Sequence, residues 1–547
     1  MHKSVALVSL LFISSYGWTQ LRGSISGNAE TTFQYLKEDS LIGATQPSEK
    51  GLLNSYMNVF YTGSNFKAGM RIESYLPRIQ GYPDRFDGTG LGMRYVGYQN
   101  DYLDLTLGNF YEQFGAGMIF RSYEDRNLGY DNVMDGIRLI FRPRKGLKLT
   151  GVYGRQRLSF TEGKVIKGDG LVRGLDADLN VNQFFSKLSD KQLQVGLGGS
   201  FVSKYQVDNN DTYVLPENVG SYGGRINLRY KKFAFNAEYI HKENDPSDDN
   251  GYIYNSGHAA LFNLTYTKKG LGIIVSGKSV NNMSFRSDRT KDLQDVFVNF
   301  LPAMNKTHTY NLVATLYPYT TQPLGEVAYQ AEVLYTVKRG SKLGGKYGLP
   351  INVNFSTAFN PVKHPVGSNQ GRIMYEGHLF DMSDSLFWQD FNINVTKKVN
   401  KSLKFIASYY SIRLNNDATK VTNFATGIIN SHIGVLEINK SFGRKHSVRL
   451  ELQGLFTKQD KGNWFTTVAE YNISPKWFFG LMDQYNYGNP HSEQRIHYLI
   501  GTFGFIKSSS RFMVSYGRQR AGLFCVGGIC RFVPASNGLT FSFTHSF

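Results

Sequence analysis

Charged side chains fall in phase with a period of two in several runs of this sequence. Lys67, Arg71 and Glu73 interleave with Ala68, Met70 and Ile72, and Asp104 sits between Leu103 and Leu105. Arg225 and Arg229 interleave with Ile226, Leu228 and Tyr230, and Arg449 and Glu451 with Val448, Leu450 and Leu452. Strict alternation puts Arg94, Arg138, Asp176 and Asp178 in the same phase in their own runs. A period of two collects the charges on one face of an extended strand and the apolar groups on the other. A charged face of this kind can line an aqueous passage, where opposite charges either pair along the wall or select ions by sign. The set holds a small excess of cations and the chain carries a formal net charge of +18, so a weak anion preference is the expectation.

Two further groups have chemistry. The pentapeptide Tyr-Gly-Arg-Gln-Arg occurs at 153–157 and again at 516–520. Continued alternation puts Tyr153 and Tyr516 in an aromatic belt and Arg155, Arg157, Arg518 and Arg520 just above it, where guanidinium groups fit lipid phosphates. A bulge at Gly154 or Gly517 would instead turn these arginines inward. Cys525 and Cys530 are the two cysteines, and their spacing suits a disulfide ring in an oxidising compartment, with no further ligands nearby for a metal. Asp245–Gly251 departs from a calcium loop at its third and sixth positions and reads as a solvated turn. No metalloprotease, serine-hydrolase or phosphate-loop motif is present. No enzyme activity, cofactor or nucleic-acid partner is therefore expected.

These residues must be held by strands. Alternating runs follow one another along the chain, and beyond the first twenty residues no segment approaches the roughly 20 apolar residues of a membrane helix. Mean hydropathy is −0.33. Short connections at 62–65, 99–101, 143–146, 189–192, 443–446 and 474–476 take turns with long polar ones at 37–51, 77–90, 110–132, 205–218 and 243–256. A soluble sandwich has no reason to sort its loops this way. A transmembrane up-and-down antiparallel β-barrel does, with tight turns on the periplasmic side and long loops outside. The expected fold is all-β, one barrel over 20–547, with about 24 strands in a range of about 20 to 26.

Both ends of the sequence agree with export. Residues 1–19 have a basic start, a short apolar run and small polar residues, the layout of a secretory signal peptide. At the other end Phe541, Phe543 and Phe547 alternate with Ser542, Thr544 and Ser546. This run is expected to close the barrel, and its terminal phenylalanine resembles the signal by which outer-membrane barrels are recognised for assembly. Outer-membrane lipid and the barrel-assembly machinery are the implied partners.

Five stretches carry a closer resemblance: 108–132, 301–310, 317–326, 340–348 and 525–538. Together they resemble an uncharacterised family of outer-membrane barrels known mainly from Bacteroidota. The resemblance implies the fold and the location and supplies no site.

A barrel of about 24 strands encloses a lumen wide enough to leak, so something must restrict it. Strand-like alternation begins within a few residues of Gln20, which leaves no room for the plug of an energised importer or the periplasmic domains of an assembly barrel. Three segments are candidates for the restriction. Residues 110–132 combine charges with aromatics. Within 281–308, Leu293, Val296, Phe297, Phe300 and Leu301 fall at helical spacing and predict a short amphipathic helix. Residues 339–385 are long enough for a cap or a binding surface, with 348–359 as a strand extension beyond the membrane. Two functions follow: a passive pore for small polar solutes restricted by inward-folded loops, or a non-conducting scaffold barrel in an envelope complex serving secretion, motility or protein insertion.

Overall fold

A computed structural model describes residues 23–547, apart from 294, 370–371, 420, 422–425 and 527–528. The signal peptide expected at 1–19 lies outside the described residues. One antiparallel sheet of 24 strands closes on itself, because Gly23–Lys37 pairs with Ser536–Ser546 as well as with Gly51–Gly63. Each strand pairs with its sequence neighbours, which makes the topology up-and-down.

Alternation explains both faces. Leu107 is exposed on the outside, while Asp104 and Thr106 in the same strand are buried inside. Large apolar groups such as Ile25, Val96 and Leu175 are more than half exposed around the outer wall. In water a belt of this extent would drive aggregation, whereas in lipid it is the required solvent face. Every backbone polar group of a spanning strand must pair within the sheet, and closure leaves no edge unpaired.

Connections at 64–65, 100–102, 145–146, 231–232, 269–270, 399–402, 443–445, 474–476 and 508–509 lie at one end of the barrel. Longer ones at 38–50, 76–87, 111–133, 206–217, 243–256, 282–324, 362–381, 416–427, 486–496 and 520–535 lie at the other. The sorting has exceptions: 181–192 and 338–348 are long on the short-turn side, and 162–163 is short on the long-loop side. Leu349–Pro361 is a full barrel strand, paired on both sides, and not an extension beyond the membrane.

The last strand behaves as its pattern requires. Phe541, Phe543 and His545 share the outer face, Phe512 and Phe543 lie 4.7 Å apart between ring centroids, and the backbones of Phe547 and Gly27 exchange two hydrogen bonds.

Candidate functional site

The long-loop half of the lumen is filled by the chain itself. Segments 111–133 and 282–324 fold inward, and one contiguous apolar cluster joins their Phe114, Met118, Phe285, Val298 and Leu312 to wall residues such as Val172, Val202, Ile240 and Ile412. Between them the two segments share backbone bonds, Arg121 N–H to Val298 and Phe300 N–H to Gly117. The helix expected from the spacing of Leu293, Val296, Phe297, Phe300 and Leu301 does not form among the described residues. Leu293 and Val296 take positive φ, and the Arg286 guanidinium draws the turn around itself by donating to the carbonyls of Asp292, Leu293 and Asp295. Its guanidinium carbon also lies 3.6 Å from the Phe297 ring centroid. Those carbonyls would be spent inside a helix, so the buried arginine and the helix exclude each other. The third expected restriction, 339–385, does not enter the lumen as a unit: it is a turn, a wall strand and an outer hairpin of His364–Asn369 and Arg372–Glu376.

Charged groups tie the filling to the wall. Arg157 pairs with Glu73 at 2.7 Å and with Asp131 at 3.0 Å, Arg71 with Glu124 at 2.9 Å, and Arg126 with both Glu124 (2.9 Å) and Glu30 (2.7 Å). Wall strands supply Glu30, Arg71, Glu73 and Arg157; the 111–133 loop supplies Glu124, Arg126 and Asp131. Asp131 is held up at about 6, because burial raises it more than Arg157 lowers it and Glu124 crowds it further. Elsewhere the Lys278 ammonium meets Glu326 at 2.7 Å and donates to the Pro302 carbonyl, and His308 Nε2 lies 2.9 Å from Asp390. Asp245 is buried against Lys204 at 2.7 Å, so the 245–251 turn is not the solvated turn its composition suggested. Two wall lysines facing inward, Lys204 and Lys242, draw that carboxylate in.

Most of the remaining charged positions of the inner face pair along the wall. Lys67 meets Asp104 at 2.8 Å, which also pairs with Arg138 at 2.9 Å. Arg225 pairs with Asp176 at 2.8 Å and with Asp178, and Arg449 with Glu451, Glu437 and Glu470. Arg229 keeps the phase of Arg225 near the short-turn end and is exposed. Arg94 is a correction. Its cross-strand partner is Met70, which is on the outer face, so Arg94 lies outside beside Val96. An extra residue at Gly92, opposite the Arg71 to Ile72 step, reverses the alternation that strict counting carries through.

The repeated pentapeptide splits for the same reason. Arg155 is exposed in the phase of Tyr153, but a register shift after it turns both Gln156 and Arg157 into the lumen. Arg518 keeps the phase of Tyr516 while its guanidinium is held by Asp39 at 2.6 Å. Arg520, just past its strand, folds inward over Trp464 and donates to Thr315. A lipid-phosphate role for Arg157 and Arg520 is therefore excluded by their position. Cys525 and Cys530 form a disulfide across the hairpin of Gly522–Val526 and Ile529–Val533.

One sector of the wall is not sealed by the filling. On Gly23–Lys37, His497–Lys507, Ser510–Gln519 and Ser536–Ser546 the inward residues Thr32, Gln34, Thr502, Ser515, Thr540 and Ser542 stay half-buried. Opposite, Val172, Val202, Val219 and Val280 are fully buried. Above the open sector lies a cavity of about 580 Å³ among the long loops, lined by Thr315, Leu316, Trp464, Asn486, Tyr498 and Arg520. Arg520 Nε and Trp464 Nε1 are buried donors without a protein acceptor, and burial pushes the Arg520 guanidinium down to about 10. Pattern reading missed this pair because Arg520 was counted on the outer face and Trp464 falls at the first residue of its strand.

Comparison with known proteins adds the following. A model for a family described as being of unknown function, DUF6029, matches residues 1–547. No curated protein matches. Among solved structures, a variant of OccD1 (OprD) is 12% identical, with 96% of this chain and 95% of that one covered and a TM-score of 0.34. The copper transporter OprC is 9% identical, covering 96% and 81% with a TM-score of 0.40. A variant of the ferric enterobactin receptor PfeA from Pseudomonas aeruginosa is 10% identical, covering 96% and 80% with a TM-score of 0.42. Likenesses this distant carry no argument about function.

Proposed function

We propose that this chain, which belongs along its whole length to the family of unknown function DUF6029, is an outer-membrane protein acting as a narrow passive pore for small polar solutes, with a weak preference for anions. The outer-membrane assignment rests on the closed barrel and its apolar outer belt, since the outer membrane is where bacterial barrels of this type insert. The observation that carries the pore reading is the asymmetry of the lumen. The filling packs tightly against most of the wall but leaves a hydroxyl-lined sector between the cavity at Arg520 and the short-turn end. Hydroxyl groups offer both donors and acceptors to passing water and small solutes, and the Arg520 charge at the top favours anions. No reaction is assigned to the barrel, and its partners are outer-membrane lipid and the assembly machinery.

A second reading is a non-conducting scaffold in a larger envelope complex. The contiguous apolar core of the filling favours it, because such a core is costly to displace.

Single-channel recording of the folded barrel in a planar bilayer separates the two. Small, well-defined steps with a reversal potential on the anion side of a salt gradient are expected. Silence from protein that resists heat denaturation on a gel would overturn the pore and leave the scaffold.

A further inference from the structure

The outer hairpin His364–Asn369 and Arg372–Glu376 is bracketed by side chains that ligate metals. His364 opens it; His378 and Asp381 follow it. His364 Nε2 lies 2.8 Å and His378 Nδ1 3.8 Å from the same Asp381 oxygen, and all three ligand atoms fall within 4.8 Å of one another. The two imidazole centroids are 4.5 Å apart. Neither ring is packed away, since His364 is 44% and His378 66% exposed.

A second observation points the same way. His258, at the loop end of the wall strand Gly257–Lys268, lies within electrostatic reach of His378 and of His241. Its Nε2 is buried and has no hydrogen-bond partner. His241 is the cross-strand neighbour of His258, so histidines from three separate parts of the chain lie near one another.

We propose that His364, His378 and Asp381 form a binding site for a divalent transition cation of the zinc type. Imidazole nitrogen and a carboxylate oxygen suit zinc and its borderline neighbours, whereas magnesium and calcium want oxygen alone. With bond lengths of about 2.0–2.2 Å, tetrahedral ligand atoms stand roughly 3.3 Å apart. The observed spacings bracket that value, so small side-chain rotations admit the ion. Binding replaces the hydrogen bond between His364 Nε2 and Asp381 with bonds from both to the metal, and the proton of that bond leaves to solvent. The exposed side of the site leaves a fourth position for water. The ion would staple the two ends of the hairpin, where the Val362 N–H already donates to the Asp381 carbonyl. Phe380, between the ligands, packs on Phe262 and Tyr329 of the outer wall. The staple would therefore fix the hairpin to the barrel rim. The site lies outside the lumen and does not depend on the pore reading.

The test is calorimetric titration of Zn²⁺ into the full-length folded barrel, stripped with a chelator and held in detergent, with Mg²⁺ as the control. One saturable Zn²⁺ site and none for Mg²⁺ are expected, with His364→Ala and His378→Ala each weakening it by about tenfold or more. An unchanged isotherm in the His364→Ala/His378→Ala double variant overturns the proposal. Co²⁺ gives a second readout on the unmodified chain: an intense visible band of tetrahedral coordination supports the site, and only the weak spectrum of hydrated Co²⁺ rejects it.

Discussion

Arg157 and Arg155 stand two residues apart and answer to different solvents. Arg157 is buried between Glu73 and Asp131, so Arg157→Ala removes their closest cation and leaves both buried carboxylates to Arg71 alone, at 3.5 and 3.7 Å. Breaking a buried pair from one side costs about 3–5 kcal/mol, which should appear as a lower urea midpoint of the folded barrel in detergent. Arg155→Ala removes an exposed group and should stay within about 0.5 kcal/mol. Asp131 adds a pH dependence. Its carboxyl is raised to about 6 against an ordinary value of 3.8, so between those values the folded state binds the proton more than the unfolded state does. This contribution to stability is present in full below pH 3.8 and is lost as pH rises through 6. Asp131→Asn should flatten the stability profile between about pH 4 and 6, measured by the same urea midpoint; an equal slope in both proteins would show that Asp131 does not titrate there.

The lumen filling is an element built by two loops on a common apolar core, and its rigidity is a separate question from its presence. Ala116 N–H donates to Glu238 of the wall at 2.7 Å. A disulfide engineered from Ala116→Cys and Glu238→Cys, in a variant lacking the native pair, should leave conductance unchanged if solutes pass along the opposite sector. A conductance that falls on oxidation and recovers on reduction would mean that the filling itself moves to open the pore. The open sector makes the complementary prediction. Ser515→Trp or Thr540→Trp puts a large ring into the half-buried path and should cut single-channel conductance several-fold, while outer-face changes such as Val96→Trp should not.

Across the whole molecule, charge decides direction more than passage. Most inward charges are paired along the wall, and the pairs contribute little net field. Arg520 differs, because its Nε has no protein acceptor and it stands at the head of the open sector. Arg520→Glu should shift the reversal potential in a salt gradient toward cations, with the folded fraction on a heat-modifiability gel as control. An unmoved reversal potential would place the selectivity, if any, elsewhere on the wall.

What the sequence determined by itself is the class of the fold and the solvent of each face. Leu103, Leu105 and Leu107 against Asp104 and Thr106 are enough to assign two faces, because a period of two is a local property of extended backbone. The sorting of short and long connections, and the aromatic run at Phe541 and Phe543, add closure and an even strand count. Tertiary structure decided the rest, and it did so where local counting loses phase. At Gly92 an extra residue, and after Arg155 a register shift against the neighbouring strand, break the alternation, and whether a strand bulges depends on the partner strand, which alternation within one strand does not encode. Arg286 unmade a helix that its neighbours' spacing favoured, by claiming their carbonyls from several residues away. His258 lies near His378 only because the segment after Leu349–Pro361 folds back across three strands of the sheet, where Phe380 packs on Phe262.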